Sequence, residues 1–190
     1  MDRKAFFSTL RQRGSGVFGT SLSQPQVNGL ETILTEAERR KTPLKWLAYI
    51  LATAYHETAH TMQPIAEYGK GKGRKYGVKG KYGQVPYGRG YVQLTWDYNY
   101  EKADKELGLR GALLHNFDLA MSPKIAVQIL FTGMEEGWFT GKSLSTYTDY
   151  LPMRRIINGT DKASLIAGYA EGFERALRNA GYGQWTAPKP

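Results

Sequence analysis

Apolar residues recur at helical spacing near both ends of this chain. In segment 23–40, Ser23 is a candidate N-cap, and the apolar positions that follow it are three or four residues apart. Segment 42–57 repeats the arrangement, with Thr42 as the candidate cap and a proline directly after it. Two later helices are predicted in the same way, with candidate caps Ser122 and Asp161.

The most apolar part of the chain is "LKWLAYILATAY", residues 44–55. It is too short for a membrane span, which needs about 20 apolar residues, so the pattern predicts a helix buried in a protein core. That helix is expected to end near His56 and Glu57.

The middle of the chain has a different composition. Residues 69–90 contain eight glycines, seven lysines or arginines and no acidic residue. This composition predicts a loop, with a short hairpin that ends in "YVQLTW". The glycines are not followed by the Gly-Lys-Ser/Thr of a phosphate-binding loop, which argues against a nucleotide site.

Length and charge narrow the classes of function. With 190 residues, the chain is predicted to form one domain, 1–190, of mainly α (α+β) class. It has 26 basic and 17 acidic residues, a formal net charge of +9, which favours an anionic partner. It has no cysteine, and we expect neither a secretion signal nor a stable membrane insertion.

The sequence "YHETAH" contains H-E-x-x-H, the motif of zinc peptidases. A catalytic zinc site needs three protein ligands, and after His56 and His60 the chain has one other histidine, His115, in a predicted loop. The helix is also expected to end before His60 can face the metal. We therefore predict no metal and no cofactor, and activity that survives a chelator.

The alternative is proton chemistry by two carboxylic acids. Glu57 follows an apolar helix, where partial burial suits a general acid, and Glu67 lies ten residues later on a more open rim. Two carboxylates in different environments are typical of glycosidic bond cleavage. Spacing alone leaves open that both are solvated surface glutamates.

The segment "GRGYVQLTWDYNY", residues 88–100, resembles the central motif of the family 19 glycoside hydrolases, which include chitinases and related phage endolysins. "HET" at 56–58 and "RRIINGT" at 154–160 resemble the flanking motifs of that family, in the same order. The resemblance implies a lysozyme-like, two-lobed helical domain with a small β-hairpin region beside the active-site cleft. "NGT" stands where the family has N-G-G, and the basic loop blurs the alignment around Glu67.

The resemblance also implies roles for individual residues. Glu57 is expected to be the general acid, Glu67 the general base, and Thr95 the holder of the attacking water, which implies inversion at the anomeric carbon. For Trp96, Tyr98 and Tyr100, packing in the core remains an alternative. The expected substrate-binding residues are Arg89, Gln93, Tyr98, Asn99 and Asn158.

The family resemblance leaves both peptidoglycan and chitin open as substrates. The basic charge favours the anionic bacterial wall, so we expect a monomeric phage-type endolysin that cuts peptidoglycan glycan strands. It would stay in the host cytoplasm until a holin-type factor releases it, and it would then act on the wall. The alternatives are a chitinase, a zinc peptidase, and a non-catalytic wall- or nucleic-acid-binding domain, although no nucleic-acid partner is expected.

Overall fold

The computed structural model describes residues 1–184, and these form eight α-helices and one two-stranded antiparallel sheet. The mainly helical class with a small sheet is therefore confirmed. The helices are α1 (Arg3–Leu10), α2 (Gln24–Arg40), α3 (Leu44–Glu57), α4 (Asp97–Glu106), α5 (Ala112–His115), α6 (Pro123–Glu136), α7 (Tyr150–Met153) and α8 (Ala163–Asn179). The strands are β1 (Ile65–Ala66) and β2 (Arg89–Gly90).

Helix α3 lies at the centre of the core, as its apolar sequence predicts. Every residue from 47 to 55 is buried, so the helix is covered on all sides. Helix α8 packs along it, and α1 and α7 pack against α8 in turn. Within residues 1–184, no helix combines the length and the apolar character that a membrane span requires.

Two of the four predicted helix caps are wrong. Ser23 forms the expected capping box with Gln26 at the start of α2. Thr42 does not cap α3. Its backbone N–H donates to the carbonyl of Ala37, and its carbonyl accepts from the hydroxyl of Tyr182. The Thr42 hydroxyl is buried and makes no hydrogen bond within residues 1–184. Helix α8 begins after Lys162, which has a φ of 59°, so Asp161 is displaced from the cap position. Ser122 occupies the cap position of α6, although its side chain makes no capping hydrogen bond.

The chain leaves α3 through a tight turn that crosses helix α2. A Cβ atom on Gly29 of α2 would lie 1.7 Å from the carbonyl oxygen of Met62, so only glycine permits this approach. The amide of Gln26 donates to the carbonyl of His60, which fixes the turn to the start of α2. This crossing directs the chain into β1.

The sheet closes the base of the glycine-rich loop. Ile65 pairs with Gly90 and Ala66 with Arg89. The backbone N–H of Glu67 then donates to the carbonyl of Gly88, at 2.7 Å. The loop was predicted correctly. The predicted short hairpin that ends in "YVQLTW" is present as a tight antiparallel turn in which Arg89 bridges to Leu94, while the two strands of the sheet are contributed by the two ends of the loop.

Candidate active site

Glu57, the last residue of α3, is bound to an arginine 97 positions later. Nη1 of Arg154 donates to Oε1 of Glu57 at 2.7 Å, and the two side chains are 5% and 17% exposed. Nε of Arg154 donates to the carbonyl of Asp161, which fixes the plane of the guanidinium group. The ion pair joins the "HET" and "RRIINGT" segments. Sequence reasoning did not assign a role to Arg154; its place in a matched motif was the available signal.

Glu67 is held by two uncharged donors. The hydroxyl of Tyr76, from the glycine-rich loop, donates to Oε1 at 3.0 Å, and the N–H of Gly88 donates to Oε2 at 3.3 Å. A carboxylate accepts about four hydrogen bonds, so both oxygens keep lone pairs for a water or a substrate hydroxyl. Glu67 is therefore anchored and still able to accept a proton.

Thr95 lies in a segment with an unusual backbone. Its hydroxyl donates to the carbonyl of Gln93 at 2.7 Å, which leaves the oxygen lone pairs free to accept a hydrogen bond from water. Gln93 and Trp96, on either side, have φ values of 54° and 76°. Such strained conformations are found preferentially at functional sites. This geometry would allow Thr95 to hold a water molecule, and that role stays a prediction.

The predicted amide ligands are engaged with the protein backbone. Nε2 of Gln93 donates to the carbonyls of Ile65 and Gly90, both at 3.2 Å, and Nδ2 of Asn99 donates to the carbonyl of Thr95 at 2.7 Å. These bonds fix the "GRGYVQLTWDYNY" segment to β1 and to itself. Contact of either amide with a sugar remains a prediction, and the side-chain oxygens of both residues accept no hydrogen bond within residues 1–184.

Asn158 follows the segment that carries Arg154. Its side-chain oxygen accepts from the N–H of Gly159 at 2.8 Å, and the residue borders a surface groove of about 470 Å³ together with Tyr147 and Arg155. Its side-chain NH₂ group makes no hydrogen bond within residues 1–184, so it can still donate to a ligand. Its predicted role in binding is untested.

Arg89 is buried, and its surroundings indicate a positioning role. The guanidinium group donates to Asp118, to the carbonyls of Val85 and Tyr87, and to the hydroxyl of Tyr100. It also lies 3.5 Å from the centre of the Tyr87 ring. These contacts cover the side chain, and such burial does not favour direct contact with a substrate. Substrate binding by Arg89 stays a prediction.

Three aromatic side chains form a row beside Glu67. The Tyr76 ring meets Trp96 edge-on at 5.4 Å, and Trp96 stacks on Tyr98 at 6.3 Å. Trp96 is 36% exposed and Tyr98 62% exposed, whereas Tyr100 is fully buried. The core-packing alternative therefore holds for Tyr100 alone, and the other rings present faces of the kind that stack on sugar C–H groups.

The H-E-x-x-H spacing is not helical in the structure. Helix α3 ends at Glu57, Ala59 and His60 have positive φ, and the His60 ring stacks on Tyr55 at 4.1 Å. The two histidines therefore do not lie on one helix face, and residues 1–184 contain no cluster of three potential metal ligands. Burial lowers the pKa of His56 and of His60, and the nearby Glu57 carboxylate partly offsets this for His56.

The charges of the glycine-rich loop are mostly unpaired. Lys81 is an exception, because it forms an ion pair with Glu101 at 2.9 Å. The other basic residues of loop 69–83 are exposed and form no ion pair within the described part of the chain; they are Lys70, Lys72, Arg74, Lys75 and Lys79.

Comparison with known proteins gives one partial similarity. A stretch of 63 residues, 33% of this chain, is 43% identical to an endochitinase of Arabidopsis thaliana and covers 20% of that protein. The chain thus matches about a fifth of the length of this curated relative. No family model matches the chain, and no solved structure matches it. At a coarse level, the similarity suggests a chitinase-like glycoside hydrolase, and it gives no support to the phage endolysin branch in particular.

Proposed function

We propose that this protein hydrolyses β-1,4-linked N-acetylhexosamine glycans with Glu57 as general acid and Glu67 as general base. The observation that carries the proposal is the pair of differently anchored carboxylates, one bound to a buried arginine and the other to two neutral donors. The partial similarity to an endochitinase supports the same class of reaction.

In this mechanism Glu57 acts in its protonated form, which accepts a hydrogen bond from Arg154, and it gives its proton to the glycosidic oxygen as the bond to the anomeric carbon breaks. A negative charge then develops on Glu57, next to the guanidinium group of Arg154 at 2.7 Å. A fixed cation placed where charge develops stabilises the transition state. Arg154 would thus favour the forward proton transfer.

Glu67 accepts a proton from the water that attacks the opposite face of the sugar, and Thr95 holds that water. The hydroxyl becomes bonded to the anomeric carbon, and the configuration is inverted. The free lone pairs on Glu67 and on Thr95 supply the acceptors that this water needs. The first-formed product from a β-linked substrate is expected to be the α anomer, which NMR can observe directly.

For the substrate we propose bacterial peptidoglycan, cut between N-acetylmuramic acid and N-acetylglucosamine by a phage-type endolysin. The net charge of +9 and the unpaired cations of the loop support attraction to an anionic wall. We include in this proposal a monomer that is stored in the host cytoplasm and released to the wall by a holin-type factor. Chitin is the second candidate, because the curated relative is an endochitinase.

The test is digestion of purified peptidoglycan and of colloidal chitin, followed by borohydride reduction and mass spectrometry. Reduced muramic acid ends from peptidoglycan are the expected result. Cleavage of chitin alone would assign the enzyme to chitin, while release of free peptide amines would contradict a glycosidase. The protein is expected to keep its activity in a parallel digestion with EDTA. Loss of activity in EDTA, with recovery when zinc is added, would support the zinc-peptidase hypothesis instead.

A further inference from the structure

The glycine-rich loop reaches the proposed general base through one side chain. Tyr76, near the middle of the loop, donates its hydroxyl hydrogen to Oε1 of Glu67 at 3.0 Å. The same ring rests edge-on against Trp96, which belongs to the central motif. The composition of the loop predicts only an irregular, basic segment and contains no signal for this contact.

The backbone of the loop explains why Tyr76 has a defined position. A Cβ atom on Gly77 would lie 1.8 Å from the carbonyl oxygen of Gly71, so the two ends of this turn touch backbone to backbone. Hydrogen bonds from Arg74 N–H to Gly71 and from Gly77 N–H to Arg74 close the turn, at 2.8 and 2.9 Å. The glycines here allow close packing, which fixes the residue that precedes Gly77.

The far end of the loop is also attached to the central motif. A Cβ atom on Gly80 would lie 1.9 Å from Oδ2 of Asp97, and the N–H of Lys81 donates to that oxygen at 3.1 Å. Because both halves of the loop are tied down, Tyr76 can be held against Glu67 without a contribution from substrate.

We propose that Tyr76 is a positioning residue for Glu67, which makes the glycine-rich loop part of the active site. This inference rests on the proposed function of Glu67 as general base. Without the phenol, the Glu67 carboxylate would keep the single 3.3 Å bond from Gly88 and could rotate away from the attacking water. A general base must lie within hydrogen-bond reach of the proton that it removes, so this rotation lowers the rate.

The test compares Tyr76→Phe with Tyr82→Phe. Tyr82 is the matched control, because it lies in the same loop and its hydroxyl also donates to a glutamate, Glu101, at 2.8 Å. The substrate is a soluble, uncross-linked glycan prepared from peptidoglycan, or a chitin oligosaccharide if the digestion assigns chitin. For Tyr76→Phe, kcat is expected to fall roughly tenfold with little change in KM, the scale of one hydrogen bond to a charged group.

Kinetics measured beside stability separate positioning from a merely structural role. If Tyr76 only packed the loop, Tyr76→Phe would change the free energy of unfolding and leave the kcat of its folded molecules unchanged. Tyr82→Phe is expected to keep the kcat and KM of the parent protein. Gly77→Ala, which must shift the turn, is expected to lower kcat in the same way, and adding it to Tyr76→Phe should cause little further loss.

Two results would overturn the inference: an unchanged kcat in Tyr76→Phe, whether or not KM rises, or an equal loss of kcat in Tyr82→Phe. Glu67→Gln is assayed beside these variants to separate the two proposals. Full activity in Glu67→Gln would refute the proposed function itself. An inactive Glu67→Gln with a fully active Tyr76→Phe would refute only the role of Tyr76.

Discussion

The two regions that hold Glu57 and Glu67 are built by different physical means. Glu57 ends a helix whose preceding residues are buried, and a buried guanidinium group fixes its carboxylate. Glu67 lies at the end of a two-residue strand, and a phenol and a backbone N–H fix its carboxylate. Charge and core packing define the first region, while close backbone contacts and neutral hydrogen bonds define the second. Under the proposed function, one residue type would thereby serve two different steps of a reaction.

The largest expected effect comes from removing either carboxylate. Glu57→Gln and Glu67→Gln should each lower kcat by roughly 10²–10⁴-fold, because an amide neither donates a proton to the leaving oxygen nor accepts one from water. Turnover of the soluble glycan is the measurement. Glu135→Gln is the matched control, since Glu135 also binds an arginine, Arg40, at 2.7 Å. A substantial rate in either active-site variant would show that the two regions do not share one reaction.

The next effect concerns the cation that distinguishes the two regions. Arg154→Met should lower the free energy of unfolding by about 2 kcal/mol, because it leaves a largely buried carboxylate without its partner. It should also lower kcat by roughly 10²-fold, the scale for loss of one preorganised electrostatic contact. Urea unfolding and turnover are measured on the same preparations.

Arg40→Met is the control for this experiment. Arg40 binds Glu36 and Glu135 away from the described site, so the variant should lose stability while its folded molecules keep their turnover. If Arg154→Met also lost stability while its folded molecules kept their turnover, Arg154 would stabilise the fold and have no role in catalysis.

A smaller effect is expected from pH. Burial lowers the folded-state pKa of His56 and His60 below the unfolded value of about 6.5, so below that pH the unfolded chain binds more protons. The free energy of unfolding should therefore decrease as the pH falls from 7 toward the folded-state pKa values. Urea unfolding at intervals from pH 7 to pH 5 measures the decrease.

The double variant His56→Gln, His60→Gln should flatten this pH dependence. The effect would sharpen the comparison, since His56 precedes Glu57 in the chain and interacts with its carboxylate. An identical slope in the double variant would contradict the assignment.

The smallest effect is expected at the surface of the second region. Changing Lys70, Lys72 and Lys79 to glutamine should weaken binding to whole cell walls several-fold at low salt and reduce its salt dependence, because screening acts over about 10 Å at 0.1 M. Turnover of short soluble glycans should be retained. The control changes Lys4, Lys105 and Lys124, which are exposed elsewhere and alter the net charge equally. Equal weakening in both triple variants would assign the attraction to net charge alone.

The sequence predicts the first region better than the second, for physical reasons. The periodicity of α2 and α3 and the capping box at Ser23 are local signals, and they were confirmed. The caps at Thr42 and Asp161 failed where side chains outside the local helix pattern, Tyr182 and Arg154, donate to the backbone carbonyls of these two residues. Local patterns do not report contacts of that kind.

The same limit applies to the site. The Glu57–Arg154 pair spans 97 residues, and no spacing rule connects its members. The Tyr76–Glu67 bond depends on a glycine-rich turn whose composition indicates only a loop. Motif resemblance selected the glutamates, but their supporting residues became visible only in three dimensions.

The crossing of the chain over Gly29 has a consequence for protein engineering. A glycine inside a helix costs about 1 kcal/mol relative to alanine, so Gly29 of α2 would be an obvious target for a stabilising replacement. Here the added methyl group would collide with the backbone at Met62, at the turn that leads from Glu57 into β1. A thermostabilised version of this protein should therefore keep glycine at position 29, because the helix and the site share that contact.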